Sequence, residues 1–129
     1  MASQHVECPF CSLADESLVL KSEQAFAIHD RYPVSPGHTL VIPRQHTAIL
    51  FELPRHEQLA LWDLVERVRD RLVANHHPDG FNIGLNDGLA AGQTVPHVHV
   101  HVIPRYDGDV PDPRGGVRWV IPEKAPYWE

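Results

Sequence analysis

Six consecutive residues, His97-Val98-His99-Val100-His101-Val102, alternate strictly between an imidazole and a β-branched apolar side chain. A period of two is the mark of a strand, because a helix would scatter the three valines around its axis. On a strand the valines share one face and the histidines share the other. The valine face is made for a core. The histidine face is unusual, because each partly desolvated ring needs partners for its nitrogens. A sheet covered on one side and chemically equipped on the other is therefore the first expectation. Three readings of the histidine face remain open from spacing alone. It can be a solvent-facing strand. It can bind a metal through all three rings, since ligands two apart on one strand can converge. It can act as an imidazole nucleophile.

The surrounding chain supplies the partners for such a strand. Val19-Leu20, Ala25 to Ile28, His38 to Ile42 and Phe81 to Leu85 read as further strands, the third stopped by Pro43. The strand of the histidines should run from His97 to Ile103 and stop at Pro104. Pro54 can open a helix at its first turn. Leu61, Leu64, Val65, Val68 and Leu72 then recur at helical spacing on one face to about Asn75. His76-His77-Pro78-Asp79-Gly80 closes that helix. Arg31 to Gly37 and Asn86 to Pro96 read as loops, and the tail carries one more short strand at Val117 to Ile121. Strands, one long helix, then strands make an α+β domain: an antiparallel sheet with the helix packed on one face.

The length of 129 residues fits a single domain, 1–129, with an irregular N-terminal segment at 1–17 and a loop-rich tail at 106–129. A net charge of −6 shows no basic field for a nucleic acid, yet leaves room for a small ligand in a local pocket. No apolar run approaches the roughly 18 residues of a membrane span. Met1 to His5 lacks the basic start and apolar stretch of a secretory signal, so a cytoplasmic protein is expected, with neither nucleic acid nor membrane as partner. The cysteines, Cys8 and Cys11, are spaced C-x-x-C, a pattern that suggests metal or redox chemistry in a reducing compartment. No βαβ pattern surrounds them, which disfavours the redox role.

Read with its continuation Ile103-Pro104-Arg105, the histidine strand resembles the signature of the histidine triad (HIT) superfamily. Pro33 to Pro43 resembles that family's nucleotide-pocket strand, and Asn86-Asp87-Gly88 through Gly92-Gln93-Thr94-Val95-Pro96 its loop before the triad. These segments cover most of residues 23–105 in family order. The resemblance implies a HIT-like fold, a homodimer, and a nucleotide as small-molecule partner. It makes His99 the nucleophile and places His101 on the phosphate and leaving-group side. Transferase relatives carry glutamine at the latter position, so a histidine there leans toward hydrolysis. Asp30 matches the ribose-binding position, His38 the start of the pocket strand, and Asn86, Gln93 and Thr94 the phosphate-contacting loop. Phe10, Phe26, Ile28 and Leu40 are candidates for the adenine pocket.

The same resemblance implies a structural zinc held by Cys8, Cys11, His46 and His97, a closed tetrahedral set without a position for substrate water. In the tail, Arg114, Arg118 and Trp119 are candidates for contacts near the cleft. His5, His29, His56, His76 and His77 are assigned no chemistry. The implied activity is hydrolysis of a dinucleoside polyphosphate such as diadenosine tetraphosphate, or of a related nucleotide conjugate, at the α-phosphate through a covalent nucleotidyl-histidine. Phosphorolysis, nucleotidyl transfer and phosphoramidate hydrolysis are close variants. A zinc-stabilised nucleotide-binding or sensor protein without turnover is the alternative from another class.

Overall fold

A computed structural model describes residues 8–128, so the expectations for residues 1–7, His5 among them, lie outside the described residues. Five strands form one antiparallel sheet: β1 (Leu20–Lys21), β2 (Ala25–His29), β3 (Thr39–Pro43), β4 (Gly80–Gly84) and β5 (Val100–Arg105). Their spatial order is β1-β2-β3-β5-β4. A single long helix, α1 (Arg55–His76), connects β3 to β4. Among the described residues no helix is long and apolar enough to cross a membrane.

The helix forms where the spacing places it. Pro54 is its N-cap, and the buried residues are Leu61, Leu64, Val65, Val68 and Leu72. Burying each such side chain contributes on the order of 1.5–3 kcal/mol relative to leaving it in water. At the other end His77 adopts a left-handed conformation with φ 51°, and Pro78 follows, so the helix cannot continue. This helix covers one face of the sheet, meeting Ala25, Ala27, Val41, Val98, Val100 and Val102 in one core. The other face carries Phe26, Leu40 and Ile42, roofed by Phe10, Leu13 and Leu18 of the N-terminal segment.

Three local expectations are corrected. The ladder of the histidine strand begins at Val100, not His97, because β3 ends at Pro43 and the Pro43 carbonyl is taken by the His97 ring instead of a backbone amide. Val98 still runs alongside, its N–H donating to the Thr47 carbonyl at 2.7 Å. Pro104 does not stop β5, which continues to Arg105. The Pro104 carbonyl accepts from Ser35 Oγ at 2.7 Å on the side where β3 has already ended, so the missing N–H breaks no ladder bond. The short strand expected at Val117 to Ile121 is a 3-10 helix over Gly116–Val120. Gly115 and Gly116 enter it at φ 94° and 45°, conformations that belong to turns.

Gly37 fixes how the chain enters β3. Its φ is +93°, and a Cβ there would stand 3.0 Å from Leu72 Cδ2 and 3.2 Å from Pro104 Cγ. Helix, β5 and the residue before His38 are thus in close approach at one point. Gly37→Ala should lower stability by about 1–3 kcal/mol through left-handed strain plus overpacking. Urea denaturation checks this, and an unchanged midpoint would remove Gly37 from the positioning of His38.

Candidate active site

Alternation sends His99, His101 and Ile103 to the face away from the helix, while Val98, Val100 and Val102 are fully buried against it. The register places Leu40 beside His101 on one flank and Gly84 on the other. Cross-strand partners share a face, so Ile28, Leu40, His101 and Gly84 form one row across the sheet.

The hydrogen bonds assign the tautomers. A ring nitrogen of His99, Nδ1, lies 3.0 Å from the His97 carbonyl, which can only accept. Nδ1 therefore carries the proton, and in the neutral ring the lone pair is on Nε2. A second set of bonds runs from backbone to ring to ring. The Val34 N–H donates to His38 Nδ1 at 3.1 Å, so the His38 proton sits on Nε2 and is donated to His101 Nδ1 at 2.9 Å. His101 Nδ1 then accepts, and its own proton is on Nε2. The rings of His99 and His101 are 5.1 Å apart between centroids. One presents a lone pair and the other an N–H.

Burial, then the neighbouring His99 and His38, hold the His101 pKa down to about 4, against a smaller opposing pull from Asp30. His38 shifts the same way, its burial outweighing the attraction of Asp30. Asp30 itself is placed by a turn. One carboxylate oxygen accepts from the Tyr32 N–H at 2.7 Å, and the other lies 3.4 Å from His38 Nε2 and 4.0 Å from His101 Nδ1. A cavity of about 610 Å³ opens beside these groups. Phe10, Ile28, Leu40, Asp30, Val95 and His99 line it. Phe26 does not line that cavity; it lies behind, buried with Ile42 and Leu40.

The loop before the triad divides its labour. Both ends of the Gln93 amide are engaged with backbone: its oxygen accepts from the Gly88 N–H, and its nitrogen donates to the carbonyls of Ala48 and Val95. Gln93 therefore shapes the loop and aims Val95 at the cavity. Thr94 is exposed between them. Asn86 stands on the far side of His101, in a second groove.

Cys8, Cys11, His46 and His97 converge below the triad, with one ligand atom from each lying within 4.8 Å of all the others. Cys8 Sγ is 3.3 Å and Cys11 Sγ 3.6 Å from His97 Nδ1, and Cys11 Sγ is 3.2 Å from His46 Nδ1. A tetrahedral zinc separates its sulfur and nitrogen ligands by about 3.5 Å. His97 Nε2 lies 2.8 Å from the Pro43 carbonyl, so it carries the proton and leaves Nδ1 facing the sulfurs. Burial and the adjacent Cys8 push the Cys11 thiol up to about 11, and a bound cation would favour its thiolate. The donor set thus fits a divalent metal. Phe10, between the two cysteines, packs edge-on to both His97 and His99, at 5.8 and 5.2 Å between centroids.

Comparison with known proteins places this geometry. The family model of the HIT domain matches residues 12–108. An uncharacterized HIT-like protein of Mycoplasma genitalium is 35% identical over 104 residues, spanning 78% of this chain and 74% of that one. The AP-4-A phosphorylase of Mycobacterium tuberculosis is 34% identical over 84% of this chain and 56% of its own length. The crystal structure of a zinc-bound histidine triad family protein from Mycobacterium smegmatis superposes with a TM-score of 0.71 at 36% identity, covering 82% of this chain and 84% of that one.

This chain belongs to the HIT family. The HIT match takes in the triad, the pocket strand, Cys-free residues after Cys11, and the loop before the triad, while the tail from Asp109 lies beyond it. In that tail Trp119 donates its indole N–H to the Arg114 carbonyl, Arg114 is paired with Asp112 at 3.0 Å, and the Arg118 guanidinium donates to the carbonyls of Lys124 and Ala125. Sequence reading missed Val95, Gly84 and Val34 as site residues. Val95 and Val34 each carry a signal that pointed there, their places in the loop before the triad and in the segment that resembles the pocket strand. Gly84 is brought in by strand register alone.

The shifted His101 gives a test by pH. Its native pKa of about 4 lies below the ordinary 6.5, so between these values the unfolded chain binds more protons than the native one. Stability from this group is complete above pH 6.5 and lost as pH falls toward 4. Thermal unfolding should show a decline over that window, shallower in His101→Gln, which cannot titrate. Parallel curves for the two proteins would contradict the assignment.

Proposed function

We propose that this HIT protein is a nucleotidyl hydrolase that cleaves a nucleotide conjugate at its α-phosphate through a covalent adduct on His99. The observation that carries the reading is the His99 Nδ1–H bond to the His97 carbonyl, which keeps a lone pair on Nε2 beside the donor N–H of His101. The nucleoside would occupy the 610 Å³ cavity, its base among Phe10, Ile28 and Leu40 and its ribose hydroxyls on Asp30. His99 Nε2 attacks phosphorus, and the bond to the leaving group breaks. His101 Nε2–H and the Asn86 amide supply hydrogen bonds to the charge that develops on the phosphoryl oxygens. Water then attacks the same phosphorus, the N–P bond breaks, the electron pair returns to His99, and one proton goes to solvent. Splitting the displacement in two replaces one hard step with two easier ones. Relatives named as a bis(5'-nucleosyl)-tetraphosphatase in Schizosaccharomyces pombe and an AP-4-A phosphorylase support nucleotide anhydrides as the substrate class.

Diadenosine tetraphosphate is the first substrate to offer, since the family likeness implies it. His99→Ala should lower turnover by roughly a thousandfold or more while nucleotide still binds. A substrate labelled on its α-phosphate should leave acid-labile, base-stable label on quenched wild-type protein only. Turnover without such label would sink the covalent adduct, and equal inertness of both proteins with binding retained would sink the hydrolase and favour a nucleotide sensor.

Zinc is proposed as the occupant of the Cys8, Cys11, His46 and His97 set. Those four residues would hold it, and when bound it would tie the N-terminal segment to His97, two residues before the nucleophile, with no step of the reaction running through it. Elemental analysis of protein purified without chelator should give about one zinc per chain. Removing it, or Cys11→Ser, should lower stability by at least about 3 kcal/mol, the linkage for a ligand present at 100 times its dissociation constant or more. A zinc content far below one would overturn this assignment.

A further inference from the structure

Phe10 stands where two sites meet. Its ring lies edge-on to His97 of the Cys–His cluster at 5.8 Å and to His99 at 5.2 Å between centroids. With Leu13 it also lines two cavities. One is the 610 Å³ cavity that holds Asp30 and reaches His99. The other, of about 400 Å³, opens onto Cys11 and His46 of the cluster, with Phe26 and Arg44 on its far walls. A shift of the Phe10–Leu13 wall that widens one cavity therefore narrows the other.

The attachment of that wall is of one kind only. Among the described residues, the backbone hydrogen bonds of residues 8–18 stay inside the segment, from the Cys11 N–H to the Cys8 carbonyl, the Ser17 N–H to Ala14 and the Leu18 N–H to Asp15. The backbone first bonds to the sheet at Val19, whose N–H donates to the Ala27 carbonyl at 2.8 Å. Before that point side chains do the holding. Phe10, Leu13 and Leu18, each half-buried, pack on Phe26, Leu40 and Ile42. The Cys8 and Cys11 sulfurs meet the rings of His97 and His46 at 3.2 to 3.6 Å. An exposed ion pair of Asp15 with Lys21 adds little. A segment with few fully buried contacts and no ladder bonds opens at low cost.

The histidines of the cluster are anchored differently. Thr47 and Ala48, which follow His46, accept from the Val98 N–H at 2.7 Å and from the Gln93 amide at 3.0 Å. His97 lies beside Val98 and is bound to Pro43. Two ligand positions thus sit on backbone held by the fold, and two on backbone held by side chains alone. An ion shared by all four would fasten the second pair to the first, and Phe10 lies between the cysteines.

We propose that Phe10 is a positioning residue that couples the Cys–His cluster to the nucleoside cavity, so that metal in the cluster and nucleotide in the cavity each raise the affinity for the other. The proposal rests on the zinc and nucleotide readings above and adds the coupling between them. With the cysteines fastened to His46 and His97, the Phe10 ring is fixed on His99 and walls the cavity before the base arrives. Without that restraint the wall is ordered only as the nucleotide enters, and the ordering weakens binding. Such coupling is reciprocal, one factor describing the effect of metal on nucleotide and of nucleotide on metal.

The test uses the full chain, zinc, and adenosine monophosphate (AMP) as the nucleotide. Calorimetry should give an AMP dissociation constant lower by about fivefold or more for zinc-loaded protein than for chelator-stripped protein shown by circular dichroism to be folded. Competition with a chromophoric chelator should show zinc held more tightly by the same factor in saturating AMP. Phe10→Ala leaves all four ligand residues in place, so it should keep about one zinc per chain and bring both factors toward one. AMP is set at the same multiple of its dissociation constant in each protein, which matches general stabilisation of the fold. Phe10→Leu, apolar but without the ring, replaces Phe10→Ala if the latter does not fold. If the stripped chain does not stay folded, the loaded chain decides: AMP should slow zinc release to the chelator by about fivefold or more in wild type and much less in the Phe10 variant. Equal AMP affinity of loaded and stripped protein, release unaffected by AMP, or a factor unchanged in the Phe10 variant would overturn the coupling and leave both underlying readings standing. Loaded protein that binds no AMP would overturn the nucleotide reading as well, and a chain that takes up no zinc the metal assignment.

Discussion

His97 is the residue on which the histidine-bearing end of the sheet depends. It is fully buried, and both ring nitrogens and the backbone carbonyl are engaged, each with a different group. Nε2 donates to the Pro43 carbonyl at the end of β3, Nδ1 faces the two cysteines, and the backbone carbonyl takes the proton of His99 Nδ1. A buried imidazole with a wrong tautomer would leave a polar atom without a partner, so this arrangement is strongly specified. The consequence is that one residue sets the tautomer of His99, completes the Cys–His cluster and closes the sheet where Pro43 cannot continue it. The Cys–His cluster that flanks Phe10 and the His99 ring that packs on Phe10 are parts of one construction.

A second line of hydrogen bonds has the opposite polarity. From the Val34 N–H through His38 to His101, every proton is directed outward, and the last ring offers an N–H to the cleft. With His99 offering a lone pair, the two rings facing each other across the site are chemically different although both are histidine. Their difference comes from what each Nδ1 touches: a carbonyl in one case, a ring nitrogen in the other. Burial reinforces it by making a charged His101 unfavourable.

Much of the fold was legible because it rests on periodicity. The valine–histidine alternation and the Leu61 to Leu72 spacing each name a buried face, and both faces meet in one core. The boundaries that failed are those where a tertiary bond competes with a local rule. Pro104 continues a strand because its carbonyl turns to Ser35, and the ladder starts late because His97 captures Pro43. The tail was misread because Val117 to Ile121 has strand-like residues, while Gly115 and Gly116 set a turn that apolar content does not reveal.

By itself the sequence determined that three histidines share one face, that a long amphipathic helix covers the other, and which family motif they make. The physical reason is that side-chain periodicity is a property of the backbone and needs no partner. Only the tertiary structure decided which nitrogen of each ring is protonated and that Phe10 packs on both His97 and His99. It also brought Cys8, Cys11, His46 and His97 together. Those facts depend on atoms from segments far apart in the chain, and no local pattern records what a side chain will meet across a sheet.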